Sequence, residues 1–99
     1  MYKIQFAKGV VKDLKKLPAF YKTQVLRSIE KQLSYEPLSS SKNRKMLVNL
    51  ILPWNATPPI WELRIGEDRV FYDVSNEEKT VYIRAIQKKP RDKTTREIL

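Results

Sequence analysis

The feature that most narrows the possible folds is the stretch from Ile60 to Gln87, where three strand-like runs follow one another with short polar breaks between them. The runs are Ile60 to Ile65, Arg69 to Val74 and Thr80 to Gln87, broken by Gly66-Glu67-Asp68 and by Ser75 to Lys79. Their closeness predicts consecutive antiparallel hairpins. With Glu67-Asp68 as a two-residue turn, Gly66 faces Arg69, Ile65 faces Val70 and Leu63 faces Tyr72, and opposed residues share a face of the sheet. Trp61, Leu63, Ile65, Val70, Tyr72 and Val74 then fall on one side. Glu62, Arg64, Arg69, Phe71 and Asp73 fall on the other. The third run adds Val81, Ile83 and Ala85 to the apolar side and Tyr82, Arg84 and Ile86 to the basic one. A basic, aromatic face of this kind suits phosphates held by arginine forks and bases stacked on Phe71 or Tyr82. The plainer alternative pairs the arginines with Glu62 and Asp73 and packs Phe71 beneath a loop or the C-terminal tail.

The apolar side needs a cover, and the first third of the chain supplies it. Tyr2, Ile4 and Phe6 alternate with Lys3 and Gln5, the period of a strand with one buried face. Val10, Leu14 and Leu17 follow at helical spacing, with Lys8, Lys12 and Lys15 on another side, and Pro18 stops the helix. A second helix, about Phe20 to Tyr35, has the stripe Tyr21, Val25, Leu26, Ile29 and Leu33 and ends before Pro37. The expected fold is therefore α+β: an antiparallel sheet, made of the first strand and a C-terminal meander of three to four strands, packed against an N-terminal helical hairpin. Residues 37 to 59 hold four of the six prolines and three consecutive serines, so they read as loop, with Lys45 to Leu52 as a possible fourth strand. Loops longer than about 12 to 15 residues are often functional. This one carries Lys42, Arg44, Lys45 and Trp54; its plainer reading is an ordered surface excursion pinned by Trp54.

Ninety-nine residues suffice for one hydrophobic core, so residues 1 to 99 are expected to form a single domain. The net charge of +9 and pI near 9.9 favour an anionic partner. Residues 1 to 35 carry eight Lys or Arg against Asp13 and Glu30, residues 84 to 99 carry six against Asp92 and Glu97, and only Ile60 to Ile83 is net acidic. With no cysteine, disulfides and thiolate metal sites are excluded; with no histidine, the commonest general base is missing. No cofactor is expected. The N-terminus lacks a hydrophobic stretch of signal-peptide length, and the best apolar run, Met46 to Leu52, is short and interrupted by Asn49. A cytoplasmic protein without a membrane partner is the expectation.

The run Ile60-Trp61-Glu62-Leu63-Arg64-Ile65-Gly66-Glu67-Asp68-Arg69-Val70-Phe71-Tyr72, behind a strand and a helical hairpin, resembles the RelE/ParE toxin superfamily. The segment Val11-Lys12-Asp13-Leu14-Lys15-Lys16-Leu17-Pro18 adds weaker support, and the likeness spans nearly the whole chain. The resemblance implies a toxin of a type II toxin-antitoxin pair, neutralised by an acidic antitoxin that wraps it. Its ribonuclease branch cleaves mRNA at the ribosome without a metal; its other branch inhibits DNA gyrase by binding it. A nucleic-acid-binding domain without activity follows from charge alone. By resemblance, Arg69 matches the arginine after the glycine turn, Arg64 the strand arginine, and Lys88 and Lys89 the basic pair after the last strand. Where the ribonucleases place a strand lysine this chain has Glu62, and where they place a C-terminal tyrosine it has Thr95. The catalytic candidates are thus Arg69, Lys89 and Glu62. The phosphate-binding candidates are Arg64, Arg84, Lys88, Lys45, Lys42 and Arg91.

Overall fold

Gly66 sets the geometry of the central hairpin. Its φ of +58° is open to glycine without penalty, and it occupies the first of two central turn positions, as a tight hairpin of the II′ kind requires. The turn is therefore Gly66-Glu67, one residue earlier than the sequence predicts, and Ile65 faces Asp68, Arg64 faces Arg69 and Trp61 faces Tyr72. Each strand residue meets a partner two places from the expected one. A slip of two keeps every side chain on its face, so the expected faces of this hairpin survive the error in its register.

The computed structural model describes residues 1–48, 52–54, 56–89 and 92–98. In chain order its elements are β1 (Lys3–Phe6), α1 (Lys8–Lys15), α2 (Ala19–Leu33), β2 (Arg44–Leu47), β3 (Ile60–Ile65), β4 (Asp68–Ser75), β5 (Thr80–Lys88) and α3 (Thr95–Ile98). The five strands form one sheet in the order β1-β5-β4-β3-β2. The α+β layout is the expected one, with a helical hairpin on the sheet. Within it, β1 lies parallel to β5, because α1 and α2 and the strands between carry the chain back to that edge. The remaining pairs are antiparallel. The fourth strand of the meander is β2; of its expected extent to Leu52, residues 49–51 lie outside the described residues.

The sheet is buried on both faces. On one, Val10 and Leu14 from α1 and Val25, Ile29 and Leu33 from α2 pack on Leu63, Val70, Tyr72, Val81 and Ile83. Tyr72 is fully buried, and its hydroxyl donates a 2.6 Å hydrogen bond to the carbonyl of Pro37, tying the end of the helical hairpin to the sheet. On the other face a smaller cluster of Ile60, Phe71 and Ala85 is covered by Leu47, Leu52, Trp54, Ala56 and Ile98.

Three expectations about burial need correction. A β-bulge separates Phe71, which faces Ala85, from Tyr72, which faces Ile83, so Arg84 is the extra residue. One extra residue inverts the alternation beyond it. Ile86 therefore joins the helix-facing core and Ala85 the smaller cluster, the reverse of what strict alternation predicts. Phe6, at the end of an edge strand, and Tyr21, in the first turn of α2, are exposed rather than buried. Phe71 offers no stacking surface, being wholly buried beneath Trp54 at a ring-centroid distance of 5.7 Å. Trp54 thus pins its loop, as its plainer reading holds.

Candidate active site

Strand register brings the charged residues together. Lys45 on β2 faces Glu62 on β3, and Arg64 on β3 faces Arg69 on β4, so two cross-strand pairs stand side by side near one end of the sheet. Lys42 enters from the loop before β2. That loop is folded by reciprocal backbone bonds between Ser41 and Arg44 (2.9 and 3.4 Å) and joined to the sheet by the Arg64 amide bonding to the Asn43 carbonyl at 2.7 Å. Lys89 follows β5, its amide held by the Glu67 carbonyl at 2.7 Å. Together these groups line a cleft of about 200 Å³. Six of the nine residues singled out from the sequence meet there: Lys42, Lys45, Glu62, Arg64, Arg69 and Lys89.

Among the described residues Glu62 is the only carboxylate lining the cleft, and it is buried. The Lys45 ammonium lies 3.6 Å from one of its oxygens, and the Thr95 hydroxyl donates to the other at 2.5 Å. Arg69 is also buried. Burial is the main cause lowering its pKa from the ordinary value, with the facing Arg64 adding to the effect; Glu62 and then Asp68 oppose it. An arginine still remains charged at neutral pH. Its NH1 is fixed by two backbone carbonyls, Gly66 at 2.8 Å and Asp68 at 3.0 Å, so the guanidinium is oriented before any ligand arrives. Like charges directly opposed across strands are unfavourable by themselves. Arg64 and Arg69, with Lys42, Lys45 and Lys89 lining the same cleft and, among the described residues, one carboxylate beside them, make the cleft strongly cationic.

The other candidates sit elsewhere. Arg84 is paired with the buried Asp73, donating from Nε at 2.6 Å and from NH2 at 3.1 Å, and it lies over the Tyr82 ring at 4.8 Å. Asp73 also accepts from the Thr57 amide at 3.0 Å, so this network fastens the long loop to the sheet. Lys88 pairs with Glu67 at 3.4 Å, beyond the cleft. Arg91 lies outside the described residues. Arg44, at the cleft wall, is structural: it donates to the Gln32 carbonyl at 3.0 Å and approaches Glu36 at 3.7 Å, joining β2 to α2.

Sequence reasoning did not select Thr95, and a signal for it exists. Thr94-Thr95-Arg96-Glu97 has the spacing of a helix-starting capping box. The structure shows both halves, the Thr94 amide bonding to Glu97 Oε1 at 2.9 Å and the Glu97 amide to Thr94 Oγ1 at 3.4 Å. Recognising that start would have placed a short helix, with Thr95 in its first turn, after the last strand. Among the described residues no group of three or more Asp or Glu is placed to hold a metal, and no helix is long and apolar enough to cross a membrane.

A helical hairpin on a five-stranded, mostly antiparallel sheet is the RelE-like fold, and solved structures share it. A chain of the toxin-antitoxin complex RelBE2 from Mycobacterium tuberculosis is similar at 26% identity and TM-score 0.71, over 89% of this chain and 98% of that one. A chain of the RelE-RelB complex from the archaeon Pyrococcus horikoshii is similar at 27% identity and TM-score 0.70, over 91% and 97%. The isolated RelE toxin of Escherichia coli shares the fold at 18% identity and TM-score 0.70, over 93% and 88%. The family of the ParE toxin of type II toxin-antitoxin system, parDE, matches residues 4–92. The chain therefore belongs to the ParE toxin family, within the RelE/ParE superfamily of type II toxins. No curated protein sequence matches it significantly.

Proposed function

We propose that this toxin is a metal-independent endoribonuclease that blocks translation by cutting mRNA at the ribosome and is held inactive by an acidic antitoxin. The observation that carries the reading is the gathering of five cationic side chains, Lys42, Lys45, Arg64, Arg69 and Lys89, in one cleft with the buried carboxylate of Glu62. In-line cleavage of RNA forms a bond from the 2′-oxygen to phosphorus and breaks the bond to the 5′-oxygen, leaving a 2′,3′-cyclic phosphate and a 5′-hydroxyl. Three services are needed: a base for the 2′-proton, positive charge around the phosphorane, and a proton for the leaving oxygen. Glu62 takes the proton. Arg69 and Arg64 hold the charge. Lys45 or Lys89 protonates the 5′-oxygen, and with Lys45 only 3.6 Å from Glu62 the proton gained by the carboxylate can return to the amine for the next turnover. The antitoxin complexes of similar chains support the partner, and a pI near 9.9 suits an acidic one.

A second reading is inhibition of DNA gyrase by binding. It is favoured by the family match to ParE and by the engagement of Glu62 with both Lys45 and Thr95, which ties up the base. Controlled expression separates the two. Incorporation of labelled amino acids and thymidine is followed while 5′ ends on ribosome-bound mRNA are mapped. Early loss of protein synthesis with new mRNA ends is the expected result; intact mRNA with failing DNA synthesis overturns it in favour of gyrase. Arg69→Ala should lower cleavage by about 100-fold or more while preserving the fold. Equal cleavage by variant and wild type would remove Arg69 from the mechanism.

A further inference from the structure

A second groove opens beside the cleft and shares its wall. It has a volume of about 720 Å³ and runs between β2 and the start of α3, with Lys45, Lys89 and Thr95 common to both. Its own additions are of two kinds. Lys93 and Arg96 bring charge, and among the described residues neither makes an ion pair. Glu97, the nearest acid in sequence to Arg96, is turned back onto the Thr94 amide. Met46 and Val48 bring apolar surface that remains 48% and 62% exposed. Among the described residues no acidic side chain lines the groove.

From this continuity we infer that the groove is a flanking subsite for single-stranded RNA, which receives the phosphates next to the scissile one. The inference rests on the ribonuclease reading and deepens it. Lys42, Arg64 and Arg69 belong to the cleft alone, Lys93 and Arg96 to the groove alone, and Lys45 and Lys89 stand at the junction. A backbone threaded through both meets cations along its whole path, as non-specific single-strand binders arrange. Met46 and Val48 give ribose and base faces an apolar seat beside that path, and the thioether of methionine adapts to bases of different shape. Selection here is for an extended strand rather than for a particular base.

The test uses the intact chain and 2′-O-methyl oligoribonucleotides, which cannot be cleaved because the attacking hydroxyl is blocked. Binding of a fluorescent dinucleotide and of an octanucleotide is measured by anisotropy across a salt series. The double variant Lys93→Ala/Arg96→Ala, checked for folding by circular dichroism, should weaken octanucleotide binding about 10-fold and leave the dinucleotide unaffected. Its log-log salt slope should fall in magnitude by about 1.4, since each phosphate contact to a single strand, through the counterions it releases, accounts for about 0.7. Arg69→Ala should weaken both ligands. Octanucleotide affinity and slope unchanged in the double variant would overturn the flanking subsite while leaving the cleft intact. Binding of both ligands unchanged in Arg69→Ala would instead overturn the cleft reading, and a dinucleotide weakened by the double variant would show that Lys93 and Arg96 act inside the cleft rather than beside it.

Discussion

At the scale of single residues, the site is a set of charges whose neighbours have been chosen for them by strand register. Arg69 is costly to bury, and what keeps it is geometric: two backbone carbonyls on NH1 and Glu62 across the cleft. Asp68, beside it, is held above its ordinary pKa of 3.8, chiefly by burial, with Lys88 pulling the other way. The protonated carboxyl therefore favours the folded state. That contribution is complete below 3.8 and disappears as pH rises through the elevated folded value, so at neutral pH the ionised Asp68 weakens the fold. Replacing it by the uncharged, isosteric amide should remove the penalty. Asp68→Asn is expected to have the higher urea midpoint at pH 7, with the gap closing near pH 3, where the wild-type carboxyl is protonated in both states. A variant less stable than wild type at pH 7 would show that attraction to Lys88 outweighs desolvation.

At the scale of elements, the turn between β3 and β4 links stability to chemistry. An added Cβ at Gly66 meets nothing within 4 Å, so Gly66→Ala carries only the dihedral cost of a positive φ, about 1 to 2 kcal/mol. For a chain of this size about 1 kcal/mol lowers the melting temperature by about 4 to 8 °C. Cleavage should fall further than the folded fraction does, because the Gly66 carbonyl orients Arg69. A melting temperature equal to wild type would mean that the turn does not need the left-handed conformation. The same hairpin marks how far sequence reaches. Period-two alternation identified Glu62, Arg64 and Arg69 as one face even with the turn misplaced, because the slip was an even number of residues. It failed at Arg84, where a bulge inverts the alternation and exchanges Ala85 with Ile86, and nothing in residues 80 to 87 marks that insertion. Arg84 also looked like a phosphate ligand because it shares a strand pattern with Arg64; its pairing with the buried Asp73 on the same face is the plainer alternative. Lys42 and Lys45 were chosen from a basic cluster in a long loop, and β2 pairing with β3 is what carries them to Glu62.

At the scale of the molecule, the sheet separates two tasks. The larger core lies under α1 and α2, whereas the smaller one, built on Ile60, Phe71 and Ala85, lies under Trp54 and Ile98. Ile98 belongs to α3, whose Thr95 holds Glu62, so packing on this second face bears on the orientation of the carboxylate. Ile29 is almost fully buried on the first face, remote from any cleft residue in sequence and on the opposite side of the sheet from Phe71. Ile29→Ala should therefore cost about 2 to 5 kcal/mol of stability. Under conditions where it is folded, its cleavage rate should match wild type. Trp54→Ala removes a side chain that is only partly buried, so its cost in stability should be smaller. It also uncovers Phe71 beside the seat of α3, and the looser helix holds Thr95 less firmly against Glu62. On the ribonuclease reading, the variant should consequently lose turnover while keeping affinity for a dinucleotide, which contacts Arg64, Arg69 and the lysines of the cleft rather than Arg96 on α3. Paired measurements of urea midpoint, Kd for a non-cleavable dinucleotide and single-turnover rate decide it. Parallel losses of rate in the two variants at equal folded fraction would show that the faces are coupled through the sheet, and that the second core does not position the base.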